Sequence, residues 1–280
     1  MEINGKTKII AIFGDPVEHT KSPAMHNAAF DEMGMDYRYV PFHVRPESLG
    51  AAVQGIRALG IAGANITVPH KERAMEFLDD VDDEASRMGA VNTIVNRDGR
   101  LTGYNTDGRG FVHSLKEDAG FDPASKRVFL CGAGGAARGL GFALAAAGVR
   151  RIYIFDIDGP KRDRLVMDIN SGFGREVARP SVLEPDFIRG ADLAVNSTPL
   201  GMHESDPLPM PENSFRAGQV VYDIVYNPAK TKTLMAAEAA GARAVNGLGM
   251  LLYQGVFAFE HWTGRTPPVD VMKRALLDRI

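Results

Sequence analysis

The run RVFLCGAGGAARGLGFALAAAGVRRIYIFDID, Arg127 to Asp158, constrains the fold more than any other part of the chain. An apolar stretch ends at Cys131, a glycine cluster follows, then a helix-forming stretch, then an alternating apolar run that stops on Asp156. Strand, glycine turn, helix and strand in this order predict a βαβ unit. Within it, Gly132 to Arg138 fits G-x-G-x-x-A. Gly132 suits the tight turn, Gly134 lets backbone approach a pyrophosphate, and the small Ala137 lets helix meet strand. The helix N-terminus offers N–H groups and a positive dipole end to an anion. The bland alternative is a turn that only packs helix on sheet, and the second strand with its terminal acid speaks against it. Asp156 lies where a carboxylate accepts from adenosine ribose hydroxyls, and its charge opposes a 2′-phosphate. Lys161 and Arg162, at the start of the next helix, point the other way, unless they are only a solvated first turn.

The rest of the chain alternates in the same manner. KIIAIFG, YRYVPFHV and GANITVP read as strands, with LGAAVQGIRALG as a helix between the last two. SPAMHNAAFDEMG reads as a helix with Ser22 as N-cap and Pro23 in its first position. HKERAMEFL reads as a helix opening just after Pro69. NTDGRGFVHSLKEDAG is a helix with a polar start, near the point where the chain changes character. After the βαβ unit come a helix around PKRDRLVMDIN, strands at ADLAVNSTP and QVVYDIVY, and a helix in KTLMAAEAAG. HESDPLPMPENS is expected to be a surface loop. The last apolar helix, in GLGMLLYQGVFAFEHWTG, is placed to return the chain to the first domain. The expected class is α/β with two domains, an N-terminal α/β domain with a mainly parallel sheet and a Rossmann-type dinucleotide-binding domain. The expected boundaries are 1–106 plus 248–280 and 107–247.

At 280 residues, 45% of them hydrophobic, the chain has material for two modest cores. A formal net charge of −3 with no basic block argues against nucleic acid. No run approaches the roughly 18 apolar residues of a membrane span, and the N-terminus lacks a signal-peptide core. The single cysteine, Cys131, reads as a small buried thiol rather than a nucleophile, and fits a reducing compartment. The expectation is a soluble, cytoplasmic protein without a metal, monomer or homodimer.

Three polar segments, GDPVEHTKSPAMHN, GANITVPHKERA and GAVNTIVNRDGRLTGYNTDG, combine charged or hydroxyl side chains with strand ends and turns. Lys71 follows one strand and Asp107 opens a helix. An ammonium beside a carboxylate makes an oriented acid/base pair, suited to moving a proton on an oxygen as a hydride leaves its carbon. Separately, each reads as an ordinary surface lysine or a first-turn acid. Thr20 and Ser22 flank Lys21 near a helix start, where hydroxyls and N–H groups hold a carboxylate or merely cap.

The ordered set FGDPVEHTKSPAMHN, GANITVPHKE, GAVNT, YNTDG, GAGGAAR, NSTPLGM, YDIVYNPAKT and NGLGMLLYQG resembles the shikimate dehydrogenase family over almost the whole chain. The resemblance implies a substrate domain, a Rossmann domain for NAD or NADP, and the interconversion of 3-dehydroshikimate and shikimate in aromatic amino acid biosynthesis. It implies Lys71 as the catalytic lysine with Asp107 as its partner. Thr20, Ser22, Thr67, Asn92, Tyr226 and Gln254 become substrate contacts. Gly132, Ala133, Gly134, Gly135, Ala136, Asp156, Ile157, Lys161, Thr198, Ile224 and Gly247 become cofactor contacts.

Two departures stand out. Where NADP-dependent members carry Asn-Arg-Thr, this chain has Asp156, Ile157 and Asp158, which favours NAD and leaves NADP possible through Lys161. Thr20 stands where biosynthetic members have serine, which leaves quinate open beside shikimate, as in a catabolic NAD-dependent quinate/shikimate dehydrogenase. Two other readings are a non-catalytic dinucleotide sensor, opposed by retention of Lys71 and Asp107, and a folate-cycle dehydrogenase, opposed by HTKSPAMHN.

Overall fold

The computed structural model describes residues 2–278. The chain divides into two compact units: residues up to Thr106 together with those from Gln254 onward, and Asp107–Tyr253 between them.

In the first unit β1 (Lys8–Gly14) is a continuous apolar run, buried from Ile10 on, as a strand covered on both faces must be. It pairs in parallel with β2 (Tyr37–His43) on one side and β3 (Gly63–Ile66) on the other. Helices α1 (Ser22–Glu32) and α2 (Leu49–Ala58) form the crossovers. A short strand β4 (Asp80–Val81) and helix α3 (Asp83–Met88) precede β5 (Thr93–Arg97) and β6 (Arg100–Tyr104). The sheet order is β2-β1-β3-β5-β6-β4, with β5 antiparallel to both of its neighbours. Asp98 and Gly99, at φ 52° and 87°, make the two-residue turn between β5 and β6, the backbone a tight hairpin favours. One face of the sheet is covered by an apolar cluster that includes Ala11, Phe13, Val53, Ile56, Ile66 and Ile94.

The second unit begins with α4 (Asp107–Glu117) and continues β7 (Arg127–Cys131), α5 (Gly135–Ala146), β8 (Arg151–Phe155), α6 (Gly159–Phe173), β9 (Ala178–Pro180), α7 (Pro185–Arg189), β10 (Leu193–Asn196), β11 (Val220–Asp223), α8 (Lys232–Ala239) and β12 (Arg243–Asn246). Its six strands are all parallel, in the order β12-β11-β10-β7-β8-β9. Read from β9, this is the 3-2-1-4-5-6 order of a dinucleotide-binding doubly wound sheet. The chain leaves through α9 (Leu248–Thr263) and ends in α10 (Val269–Leu277). The division at Gln254 falls inside α9, six residues later than the sequence patterning places it. Beyond it Trp262 is buried, its Nε1 donating to the Ile94 carbonyl at 3.0 Å, and α10 packs on α1.

Local expectations differ from the structure in three places. Ser22 is the first residue of α1 rather than its cap; Lys21 holds the cap position, and Thr20 Oγ1 accepts from the Ser22 N–H at 3.3 Å. HKERAMEFL forms only a short 3₁₀ turn at Arg73–Phe77, because Leu78 returns to extended backbone so that β4 can pair with β6. The loop HESDPLPMPENS is not wholly at the surface: Met210 is buried in the second unit's core, and the Pro209 carbonyl accepts from Cys131 Sγ at 3.3 Å.

Candidate functional site

Strand register collects the polar candidates of the first unit at one edge of its sheet. β1 and β3 end there together, while β5 starts there and β6 ends there, because β5 runs against both of its neighbours. The Thr67 N–H donates to the Phe13 carbonyl at 2.9 Å, the Ile66 N–H to the Asn92 carbonyl at 2.8 Å, and the Asn92 N–H to the Tyr104 carbonyl at 3.0 Å. Thr67, Asn92 and the Asn105–Thr106 step are thereby neighbours. Gly14 permits the crowding, since a Cβ there would lie 2.4 Å from Thr67 Cγ2.

Lys71 follows a turn in which the His70 N–H donates to the Thr67 carbonyl at 2.9 Å, and the His70 ring is held by the Val44 carbonyl at 2.6 Å. The Val91 N–H then donates to the Lys71 carbonyl at 2.9 Å, which fixes the lysine backbone one residue from Asn92. The Asn92 carboxamide in turn accepts from the Thr106 N–H at 2.9 Å, and Asp107 is the next residue. The segment bearing Thr20 and Ser22 is tied to the same edge through the Asp15 N–H, which donates to the Val68 carbonyl at 3.0 Å. Gln254 precedes Gly255, which packs on Met25 and His26 of α1 so closely that a Cβ would meet Met25 Cε at 2.4 Å.

In the second unit the candidates stand at the carboxyl ends of parallel strands, on either side of the point where the strand order reverses between β7 and β10. Gly132 has φ +109°, and a Cβ on it would lie 2.8 Å from Ser197 Oγ and 3.1 Å from Thr198 Cγ2. Glycine is required there for conformation and for space alike. The N–H groups of Gly135 and Ala136 lie in the first turn of α5, where no intrahelical acceptor is available to them. The Ala133 N–H is instead bonded to Asp156 Oδ2 at 2.6 Å, and Asp156 Oδ1 accepts from the Asp158 N–H at 2.9 Å. The acid at the end of β8 thus braces the glycine turn. A glycine turn with a positive-φ first residue, a helix start whose first N–H groups have no intrahelical acceptor and a terminal acid, all at the reversal point, fits a dinucleotide.

The two cations after β8 part company. Lys161 brings Nζ to 3.8 Å from the position a Gly134 Cβ would take. Arg162 is turned to Asp163 at 2.8 Å and to the Ser181 carbonyl at 3.4 Å. Ile157 is 95% exposed.

Thr198 Oγ1 and N–H both donate to Asn196 Oδ1, at 2.7 and 3.1 Å, and Asn196 Nδ2 donates to Asp223 Oδ1 at 2.9 Å. Asp223 also accepts from Thr231 Oγ1 at 2.7 Å and from the Val225 N–H at 3.1 Å, so one buried carboxyl holds the loops after β10 and β11. Burial raises its pKa against the hydrogen bonds it receives. Gly247 packs on the Ile224 backbone; a Cβ would fall 2.0 Å from the Ile224 carbonyl oxygen. Burial also raises the Tyr226 phenol, which stays a neutral donor at ordinary pH. Asp107 Cβ lies 4.0 Å from the place of a Gly139 Cβ, one turn into α5. Cys131 is buried and its thiol is pushed up to about 12, chiefly by desolvation, which suits the packing role read for it.

Patterning did not single out Asn65, Thr93, Asn196 or Asp223. Their signal was a polar residue inside or at the end of an otherwise apolar strand, which is costly to bury unless bonded. Among the described residues no group of three or more His, Cys, Asp or Glu is placed to hold a metal ion, and no helix is long and apolar enough to cross a membrane.

Comparison with known proteins agrees with this geometry. Residues 12–94 match the family described as the shikimate dehydrogenase substrate binding domain, and residues 247–277 match the shikimate 5′-dehydrogenase C-terminal domain. The shikimate dehydrogenase (NADP(+)) of Desulforamulus reducens is 48% identical over 98% of this chain and 96% of its own length. The chain belongs to the shikimate dehydrogenase family. As a member of that family it is an α/β oxidoreductase with two mostly parallel sheets. A crystal structure of a shikimate dehydrogenase in complex with NADP+ superposes with a TM-score of 0.95 at 43% identity, covering 100% of this chain and 98% of that one. A shikimate 5-dehydrogenase from Listeria monocytogenes in complex with shikimate and NAD gives 0.91 at 38% identity, covering 98% of both chains.

Proposed function

We propose that the chain catalyses the reversible reduction of 3-dehydroshikimate to shikimate with a nicotinamide cofactor, using Lys71 as the group that moves the proton. The observation that carries this reading is the shared sheet edge, where Thr67, Lys71 and Asn92 are fixed by main-chain hydrogen bonds and the residue before Asp107 by the Asn92 side chain. A nicotinamide cofactor, when bound, would supply or accept the hydride. In the oxidising direction Lys71 takes the hydroxyl proton as the hydride leaves the ring carbon, and in the reducing direction it returns that proton to the developing alkoxide. Its positive charge when protonated stabilises that alkoxide, and Asp107 orients it. Thr20 and Ser22 grip the substrate carboxylate, Thr67 and Asn92 contact the substrate's hydroxyl and carboxylate groups, and Gln254 bonds a ring hydroxyl. The test is Lys71→Ala, with turnover expected to fall by orders of magnitude while cofactor affinity holds.

For the cofactor we propose a preference for NAD. Asp156, after the end of β8, sets a negative charge against a 2′-phosphate, the Ile157 side chain has no donor to offer one, and Arg162 is engaged elsewhere. Lys161 stands over the glycine turn, where it would serve the diphosphate common to both dinucleotides. The D. reducens relative is named for NADP(+), and the L. monocytogenes structure holds NAD, so titration of this protein with each dinucleotide decides. Tighter binding of NAD supports the reading and tighter binding of NADP overturns it. Thr20 favours testing quinate beside shikimate, and the ratio of their kcat/KM values separates a biosynthetic from a catabolic enzyme.

A further inference from the structure

Behind Asn92 the first unit carries a buried line of hydrogen bonds. The Tyr39 hydroxyl donates to Asn65 Oδ1 at 2.7 Å. Asn65 Nδ2 donates to the Asn92 main-chain carbonyl at 2.9 Å and to Thr93 Oγ1 at 3.2 Å. Thr93 Oγ1 donates to Asn92 Oδ1 at 2.9 Å. Tyr39, Asn65, Asn92 and Thr93 are all buried.

Two groups that have no choice of role fix the direction of this line. The Asn92 main-chain carbonyl only accepts, so it must face the amino side of Asn65, which turns the Asn65 oxygen to Tyr39. The Thr106 N–H only donates, so it must face the oxygen of the Asn92 carboxamide, and Asn92 Nδ2 in turn donates one of its two protons to Thr106 Oγ1 at 3.0 Å. Thr93, receiving from Asn65, has its own proton left for that same carboxamide oxygen. The start of the line is braced as well. Asn27 exchanges two hydrogen bonds with the Tyr39 backbone, at 2.8 and 3.0 Å, and the His26 ring stacks on the Tyr39 ring at 4.5 Å.

We propose that Tyr39, Asn65 and Thr93 are positioning residues that hold the Asn92 carboxamide oxygen inward, so that Asn92 meets the substrate with its N–H side and selects an acceptor oxygen on the ring. This rests on the reading of Asn92 as a substrate contact.

The test is steady-state kinetics with shikimate at saturating cofactor on Asn92→Ala, Thr93→Val, Thr93→Ser, Tyr39→Phe and the Tyr39→Phe/Thr93→Val double variant. Thr93→Val is expected to lower kcat/KM for shikimate roughly tenfold, chiefly through KM, about what loss of one hydrogen bond gives. The KM for the dinucleotide stays unchanged and Thr93→Ser restores the wild-type value. Tyr39→Phe lowers kcat/KM in the same sense; its hydroxyl also bonds Ser22, and the double variant falls short of the product of the two singles because the part of the loss that runs through Asn65 acts on the same oxygen as Thr93. Tyr39→Phe lies on a different strand and remains readable if Thr93→Val does not fold. Independent, multiplicative effects, a Thr93→Ser variant as poor as Thr93→Val, or an equal loss of dinucleotide affinity would overturn the proposal. If Asn92→Ala leaves the KM for shikimate unchanged, the substrate reading of Asn92 falls and the proposal with it; if Asn92→Ala is costly and both Thr93→Val and Tyr39→Phe are silent, only the positioning line falls.

Discussion

At the scale of single residues the chain separates groups that do chemistry from groups that hold them. Lys71 is proposed as one of the first kind. Its main-chain carbonyl is fixed by the Val91 N–H, so truncating its side chain leaves the turn in place. Lys71→Ala should lower kcat by at least about a hundredfold, in the range a general acid/base contributes, with dinucleotide affinity unchanged by titration. His26 belongs to the second kind. It is fully buried among Tyr39, Phe259 and Trp262, and burial pushes its imidazole down to about 3 from 6.5. The folded protein therefore keeps His26 neutral where the unfolded chain binds a proton. Stability from this residue is complete above pH 6.5 and is lost as pH falls from there toward 3, by about 2 kcal/mol between pH 6.5 and pH 5. Urea unfolding of the wild type and of His26→Leu over that interval checks the sign: the variant should lack this part of the slope, whatever its absolute stability.

At the scale of elements, glycine positions and strand ends decide what the loops can present. A Cβ at Gly247 would lie 2.0 Å from the Ile224 carbonyl oxygen, a main-chain atom that cannot step aside without moving the loop after β11. Gly247→Ala should destabilise the protein by about 1–3 kcal/mol in urea unfolding and weaken dinucleotide binding, measured by titration. The junction of β8 and α6 carries a second prediction. Ile157→Arg restores a guanidinium beside the ribose site and should raise NADP affinity relative to NAD at least tenfold; an unchanged ratio would mean that Ile157 is remote from the 2′ position. The elements of the second unit were readable in sequence because parallel strands covered on both faces give unbroken apolar runs, and the glycine turn marks where the first run ends. The first unit was less legible. β4 is two residues long, too short for periodicity to register. The β5–β6 hairpin was hidden in a polar stretch, although its Asp98–Gly99 turn carries a recognisable hairpin signal. Asn65 and Thr93 looked like ordinary strand residues because their purpose depends on partners 27 and 28 positions apart in the chain.

At the scale of the molecule, the chain builds one unit from both of its ends and a second from its middle. The reading assigns substrate to the first and dinucleotide to the second, and amide hydrogen exchange can examine each by itself. Dinucleotide alone should protect the glycine turn and the segments after β8, β10 and β11. Shikimate should add protection at residues 14–22, 65–71 and 91–93; protection by dinucleotide confined to the first unit would contradict the assignment. If this chain oxidises shikimate with Lys71 as the proton-transferring group, reduction of NAD and of NADP in the presence of shikimate, followed for the wild type and for folded Lys71→Ala, should be seen in the wild type, faster with NAD, and be almost wholly lost in the variant. No reduction of either dinucleotide by the wild type, or undiminished turnover in Lys71→Ala, would contradict this reading.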